Sequence, residues 1–202
     1  YQAEATGHLV VQAADALGVP LTRSMCVPLF TAIATDTGWF RFGSVTAETY
    51  RTIARLIDAG VVPCEVYGDL YERDSLGRVR LRGLVLSRTK AEIDGTLMHT
   101  YVEKEDFEAM GAAPNDTEDA INLTLKVKGA QAAVIFVGQV RGGFKLSFRS
   151  QGEMDCNEVA QQFGGGGHKA AAGAFVEGTL DEVQGRVLPV VREAMRVALG
   201  QC

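Results

Sequence analysis

Apolar positions in the first third of the chain recur at three- and four-residue intervals, the period of an amphipathic helix. Over residues 4–17, Leu9, Val10, Ala13, Ala14 and Leu17 share one predicted face, and Gly18-Val19-Pro20 stops the helix. Thr22 can cap a second helix through Cys26, Leu29, Phe30 and Ile33, in which Pro28 predicts a kink or a later start. That pattern ends at Thr35-Asp36-Thr37-Gly38, a polar turn followed by Trp39 and Phe40. Thr46, with Glu48 in the first turn, predicts a third helix bearing Tyr50, Ile53, Leu56 and Ile57 and ending at Gly60. Pro63 suits the first turn of a fourth helix, and the basic, leucine-rich stretch 75–87 predicts the last helix of this unit.

The period then changes. Residues 91–93 and 97–102 flank Asp94-Gly95, a hairpin signal. Residues 134–140 form a nearly unbroken apolar run, as in a strand buried on both faces. Arg141-Gly142-Gly143 turns the chain into an alternating stretch, 144–149; a short helix over 157–163, a strand over 171–176 and a long closing helix over 180–199 complete the pattern. The expected fold is α/β: a helix-rich unit at 1–88, then a small α/β unit at 89–202 built on a mixed β-sheet.

Composition narrows the function classes. With 47% hydrophobic and 22% charged residues, the chain reads as an ordinary soluble globular protein. A net charge of −5 argues against an electrostatic clamp on long duplex nucleic acid but leaves room for a local phosphate pocket. Cys26, Cys64, Cys156 and Cys202 form no CxxC pair and read as unpaired thiols of a reducing compartment. With no apolar stretch of membrane-spanning length and no signal-peptide pattern, a cytoplasmic protein without a membrane partner is expected. The chain opens on Tyr1, and a helical pattern follows at once, so further residues are expected upstream.

The strongest chemical signal is Phe163-Gly164-Gly165-Gly166-Gly167-His168-Lys169. Four consecutive glycines lose much backbone entropy on ordering, so a folded domain keeps them for a use. Glycine admits the positive φ angles of an anion-binding nest, with His168 and Lys169 as side-chain donors. The spacing is neither a Walker loop nor a dinucleotide-binding fingerprint. A flexible linker is the bland alternative, and the apolar segments on both sides argue against it. Arg149, at the end of a predicted strand in Ser147-Phe148-Arg149-Ser150, can turn a bidentate fork on a phosphate; alone it reads as an exposed strand-end charge.

Lys145-Leu146-Ser147-Phe148-Arg149-Ser150, the helix with Glu158-Val159-Ala160, and residues 163–173 together resemble the C-terminal domain associated with DHH phosphoesterases, found also at the end of alanyl-tRNA synthetases. Asp119-Ala120-Ile121-Asn122 and Lys128-Gly129 are similar to that domain's opening segment. The resemblance implies that Arg149, Ser150, Gly164, Gly165, Gly166, Gly167 and His168 hold the phosphate or nucleotide end of a substrate.

By itself Asp36 reads first as a turn cap and second as a carboxylate presented to a hard cation. Ala34-Thr35-Asp36-Thr37-Gly38-Trp39-Phe40-Arg41-Phe42 resembles the fourth metal motif of the DHH domain, which implies Asp36 as a manganese ligand and catalytic residue of a two-Mn²⁺ centre. The DxD-type and Asp-His-His motifs that carry that family's other ligands do not occur in this chain, and His8 and His99 show no acidic partner in sequence. The chain alone is therefore expected to be inactive. The resemblance implies a manganese-dependent enzyme of the nanoRNase and pAp-phosphatase type, acting on short oligoribonucleotides or pAp, with a homodimer as one compatible assembly. Alternatives of the same chemistry are exopolyphosphatase and cyclic-dinucleotide phosphodiesterase; one of another class is a noncatalytic binding module.

Overall fold

A computed structural model of the chain describes residues 4–201. Cys202, one of the four thiols read above, lies outside the described residues. The chain divides into two compact units, Tyr1–Arg73 and Asp74–Cys202.

The first unit is helical: α1 (Thr6–Ala16), α2 (Arg23–Asp36), α3 (Ala47–Asp58) and α4 (Pro63–Tyr71). Its core gathers Val11, Cys26, Phe30, Ile33, Ile53, Leu56 and Val66. The face of α1 differs from the predicted one. Gly7, His8, Val11 and Ala14 are buried, whereas Leu9, Val10 and Leu17 are exposed. Two local causes act together. Gly7 lets α1 come close to α2, since a Cβ there would stand 3.1 Å from Ala32 Cβ and from the Leu29 carbonyl. His8 is buried because its polar atoms are satisfied: Nδ1 bonds Glu4 Oε1 at 2.6 Å and Nε2 meets Thr52 Oγ1 at 3.2 Å. Burial, the largest influence on Glu4, works to raise its pKa, but hydrogen bonds from Thr49, its own backbone and His8 outweigh it and hold the carboxyl low. His8 thus does have an acidic partner, Glu4, four residues before it and just ahead of the helix. In α3 the same substitution of polar for apolar occurs: Thr49 and Thr52 are inside with Ile53 and Leu56, while Tyr50 and Ile57 face out. Pro28 leaves α2 continuous from Arg23 to Asp36.

The second unit begins one helix earlier than the change of period at 88. Helix α5 (Leu76–Ser87) packs Leu81 and Val85 against Met98, Val102 and Ile135 of this unit's sheet. The strands β1 (Lys90–Glu92), β2 (Leu97–Val102), β3 (Ala132–Gly138), β4 (Phe144–Ser150), β5 (Gly166–His168) and β6 (Ala171–Val176) form one sheet in the order β1-β2-β3-β4-β6-β5. The pair β2–β3 is parallel and the other pairs are antiparallel, so the sheet is mixed, as expected. The parallel pair needs a crossover, supplied by α6 (Lys104–Met110), a 3-10 turn (Pro114–Thr117) and α7 (Ala120–Thr124). These pieces of four to seven residues are too short to show a helical period, and the sequence does not predict them as elements.

Alternation in the strands builds two cores, one on each face. Val134, Phe136, Leu146, Phe148, Ala172, Ala174 and Val176 pack against α8 (Cys156–Gln161) and α9 (Leu180–Ala198). On the other face, Met98, Ala133, Ile135 and Val137 pack against α5 and α7. That explains the unbroken apolar run in β3, all seven of whose residues are buried. His99, buried in β2, bonds Glu92 Oε1 through Nε2 at 3.0 Å, and Glu92 in turn pairs with Arg192 of α9. His99 therefore has the acidic partner that its sequence neighbours do not reveal, because β1 lies alongside it.

Candidate functional site

The face covered by α5 and α7 continues across β4, β6 and β5, where it opens to solvent. Register defines what it presents. Ser147 pairs with Gly173, which pairs with Gly166; Arg149 pairs with Ala171, which pairs with His168. Residues paired across strands share a face. One row therefore reads Ser147–Gly173–Gly166 and the next Arg149–Ala171–His168, with Lys145 one step further along β4. Arg149 and His168 stand two strands apart, about 10 Å at the usual spacing. Between them the floor carries only hydrogen or methyl side chains. The alternate residues Ala172, Ala174 and Phe148 are buried beneath it.

The glycine run is part strand, part helix stop, rather than the nest expected from sequence. Gly164 has φ 71° and Gly165 N–H donates to the Ala160 carbonyl at 2.9 Å, closing the end of α8. Gly164 N–H donates to Gln161 and Gly167 N–H to Asn157 Oδ1 at 2.9 Å, so these donors are already engaged. Gly165 is required for close approach: a Cβ would stand 2.1 Å from the Gly173 carbonyl oxygen. At Gly166 a Cβ would meet only Asn157 Oδ1, at 3.7 Å. Packing within the protein gives no reason for a glycine there, and the residue is exposed on the open face.

Arg149 is half-buried, and its Nη1 donates to the Phe148 carbonyl at 2.9 Å. His168 is exposed. Ser150 is not brought to them. It lies on the opposite parity of β4, buried, with Oγ at 3.2 Å from both the carbonyl oxygen and the N–H of Gly152. Ser147 takes its place on the open face, a residue that strict alternation from Arg149 would have found. Lys169, the predicted second donor, bonds Glu153 Oε2 at 2.9 Å, and that bond holds its pKa up. Beneath the floor, burial pushes the Cys156 thiol up to about 11, against the opposing influence of the Arg149 charge.

A cavity of about 270 Å³ adjoins the open face, with Lys145, Ser147 and Arg149 on one side and Thr117, Glu118 and Asp119 on the other. A larger cavity of about 550 Å³ between α8 and α9 lies on the opposite face and includes neither Arg149 nor His168.

In the first unit, Asp36 is the last residue of α2 and is exposed. It does not cap the turn. The Thr37 hydroxyl does so, donating to the Ile33 carbonyl at 2.7 Å and accepting from Phe40 N–H at 3.1 Å. Gly38, Trp39 and Phe40 follow in left-handed conformation, and the Trp39 ring is held edge-on by Phe30, Tyr67 and Tyr71. Among the described residues the Asp36 carboxylate has no hydrogen-bond partner, and no three His, Cys, Asp or Glu residues are grouped to hold a metal ion. A two-metal centre needs several such ligands. One exposed carboxylate does not make one, so these residues do not by themselves fit the metal pair the resemblance implies.

A mixed sheet with helices over one face and half of the other makes this an α/β domain, with an arginine and a histidine in one row across Ala171, beside Gly173 and Gly166. Residues 94–196 match the DHHA1 domain, and the chain belongs to that DHH family. It is 36% identical over 192 residues to the bifunctional oligoribonuclease and PAP phosphatase NrnA of Thermus thermophilus, a match that covers 95% of this chain and 57% of that one. The NrnA of Bacillus subtilis is 27% identical over 148 residues, 73% of this chain and 46% of the relative. An exopolyphosphatase-related protein from Bacteroides fragilis superposes with a TM-score of 0.82 at 28% identity, over 95% of this chain and 56% of that one. The chain thus spans about half the length of these relatives.

Proposed function

We propose that the protein to which this chain belongs is a manganese-dependent phosphoesterase of short oligoribonucleotides, pAp or both, and that this chain carries its substrate-gripping face. The observation that carries the reading is the row Arg149–Ala171–His168 beside Gly166 on an open half-face. A guanidinium fork holds a phosphate, the imidazole supplies a second donor, and the floor of Ala171, Gly173 and Gly166 lets a flat group lie close. The names of the curated relatives support the substrate class. Two groups set two strands apart suit a ligand of one or two nucleotides better than a long polymer, in keeping with the acidic chain.

Asp36 is proposed as one ligand of a manganese centre whose other ligands lie beyond these 202 residues; no hydrolytic step is derived from the residues present. The test is a substrate panel with the full-length protein and Mn²⁺: pAp, a ribodinucleotide, a cyclic dinucleotide and polyphosphate. The reading expects kcat/KM highest on pAp or the ribodinucleotide, and His168→Ala lowering it about tenfold or more, the scale of one lost bond to a charged group. Preference for polyphosphate would overturn the substrate class, and an unchanged His168→Ala enzyme would remove the role of the glycine face. Asp36→Ala is expected to abolish activity and leave the circular dichroism spectrum intact; a fully active variant would show that Asp36 binds no catalytic metal.

A further inference from the structure

The cavity beside β4 carries charge of both signs. Lys145 and Arg149 enter from the strand, Glu118 and Asp119 from the end of the 3-10 turn and the start of α7. Among the described residues none of these four makes an ion pair within 4.0 Å, although other arginines of this unit, such as Arg88 and Arg192, find carboxylates. Asp119 stands at φ 62°, a conformation that side chains other than Asn and Asp adopt rarely. Asn122 Nδ2 donates to its Oδ1 at 3.1 Å, which orients the carboxylate and leaves Oδ2 without a hydrogen-bond partner among the described residues.

A site built only for polyphosphate gains nothing from two carboxylates, which repel it. A ligand with both a phosphate and neutral hydroxyl donors matches the mixed lining, because an ionised carboxylate only accepts. At about 270 Å³ the space is of the order of a sugar phosphate rather than a drug-sized ligand.

We infer that Asp119 selects ribonucleotides over deoxyribonucleotides, its free carboxylate oxygen accepting the ribose 2′-hydroxyl while Arg149 and Lys145 hold the phosphate. This rests on the half-face being the nucleotide site. Asp119 is exposed in the free protein, so the discrimination comes from the charge-assisted bond to the 2′-hydroxyl, which a deoxynucleotide cannot make.

The experiment is titration calorimetry on the full-length protein with metal chelated, using AMP, 2′-deoxy-AMP and tripolyphosphate. Asp119→Gly is the main variant, since glycine keeps the left-handed backbone and carries no side-chain acceptor. The wild type is expected to bind AMP about tenfold or more tighter than 2′-deoxy-AMP, as for one lost charged hydrogen bond. Asp119→Gly should bind both at the weaker level and tripolyphosphate no more weakly than the wild type. Equal wild-type affinities for the two nucleotides, or a preference that survives in Asp119→Gly, overturns the inference. A failure of the half-face reading looks different: no nucleotide binds the wild type, or Arg149→Gln leaves every affinity unchanged.

Discussion

At the residue scale, the glycine run separates into positions with different physical duties, although all four look alike in sequence. Gly165 lies against the β6 backbone, so an added methyl meets a carbonyl oxygen at 2.1 Å and something must shift. Gly166 has no such neighbour. Gly165→Ala is therefore expected to destabilise the second unit by roughly 1–3 kcal/mol, the usual cost of overpacking. Gly166→Ala should leave the melting temperature nearly unchanged and weaken nucleotide binding. Thermal melts of both variants beside AMP titrations check the contrast; equal destabilisation would show that Gly166 is only structural. Cys156 gives a further contrast. Its thiol is buried and held neutral, whereas Cys64 is exposed, so native alkylation should label Cys64 before Cys156, read by mass spectrometry.

At the scale of elements, alternation in the strands was legible, and so were most helix limits. The predicted strand 171–176 and the start of the closing helix at 180 coincide with β6 and α9. What failed was the inward face of the first helices. A hydrophobic period assigns Leu9, Val10 and Leu17 to the interior, but Glu4, His8, Thr49 and Thr52 satisfy one another and take the inside. Such a network joins positions more than forty residues apart and has no local signature. Helix α5 makes the same point about unit boundaries. Its basic residues read as the end of the helical unit, whereas Leu81 and Val85 belong to the sheet's core. Gly77 fixes its place, since a Cβ there would stand 2.0 Å from the Gly111 carbonyl oxygen. Gly77→Ala is expected to cost roughly 1–3 kcal/mol despite alanine's better helix propensity, measured by urea unfolding. A stabilised variant would mean that α5 packs elsewhere.

At the scale of the whole molecule, one part-buried network ties β1 and β2 to the closing helix of the second unit. Arg192 of α9 holds the Glu92 carboxyl below its usual range through its hydrogen bonds, against burial. Burial lowers the His99 pKa, against the pull of Glu92. Both folded groups bind protons less readily than their unfolded counterparts, so stability falls as pH falls. The loss should begin below about pH 6.5, where unfolded histidine protonates, and deepen below about pH 4.3 as Glu92 follows. His99→Gln is expected to flatten the upper part of this profile, followed by urea unfolding at a series of pH values. An unchanged slope would exclude His99 as its source.

The sequence by itself determined the two-part α/β plan, the strand with two buried faces, the glycine run with Arg149 nearby, and the family resemblance, because each rests on residues close together in the chain. Only the tertiary structure decided that Ser147 and not Ser150 shares Arg149's face, that His168 stands in Arg149's row, and that Asp119 completes the wall of the cavity. Those relations come from register between strands and from the path of a crossover. A one-residue shift in either would reverse them without changing any local pattern.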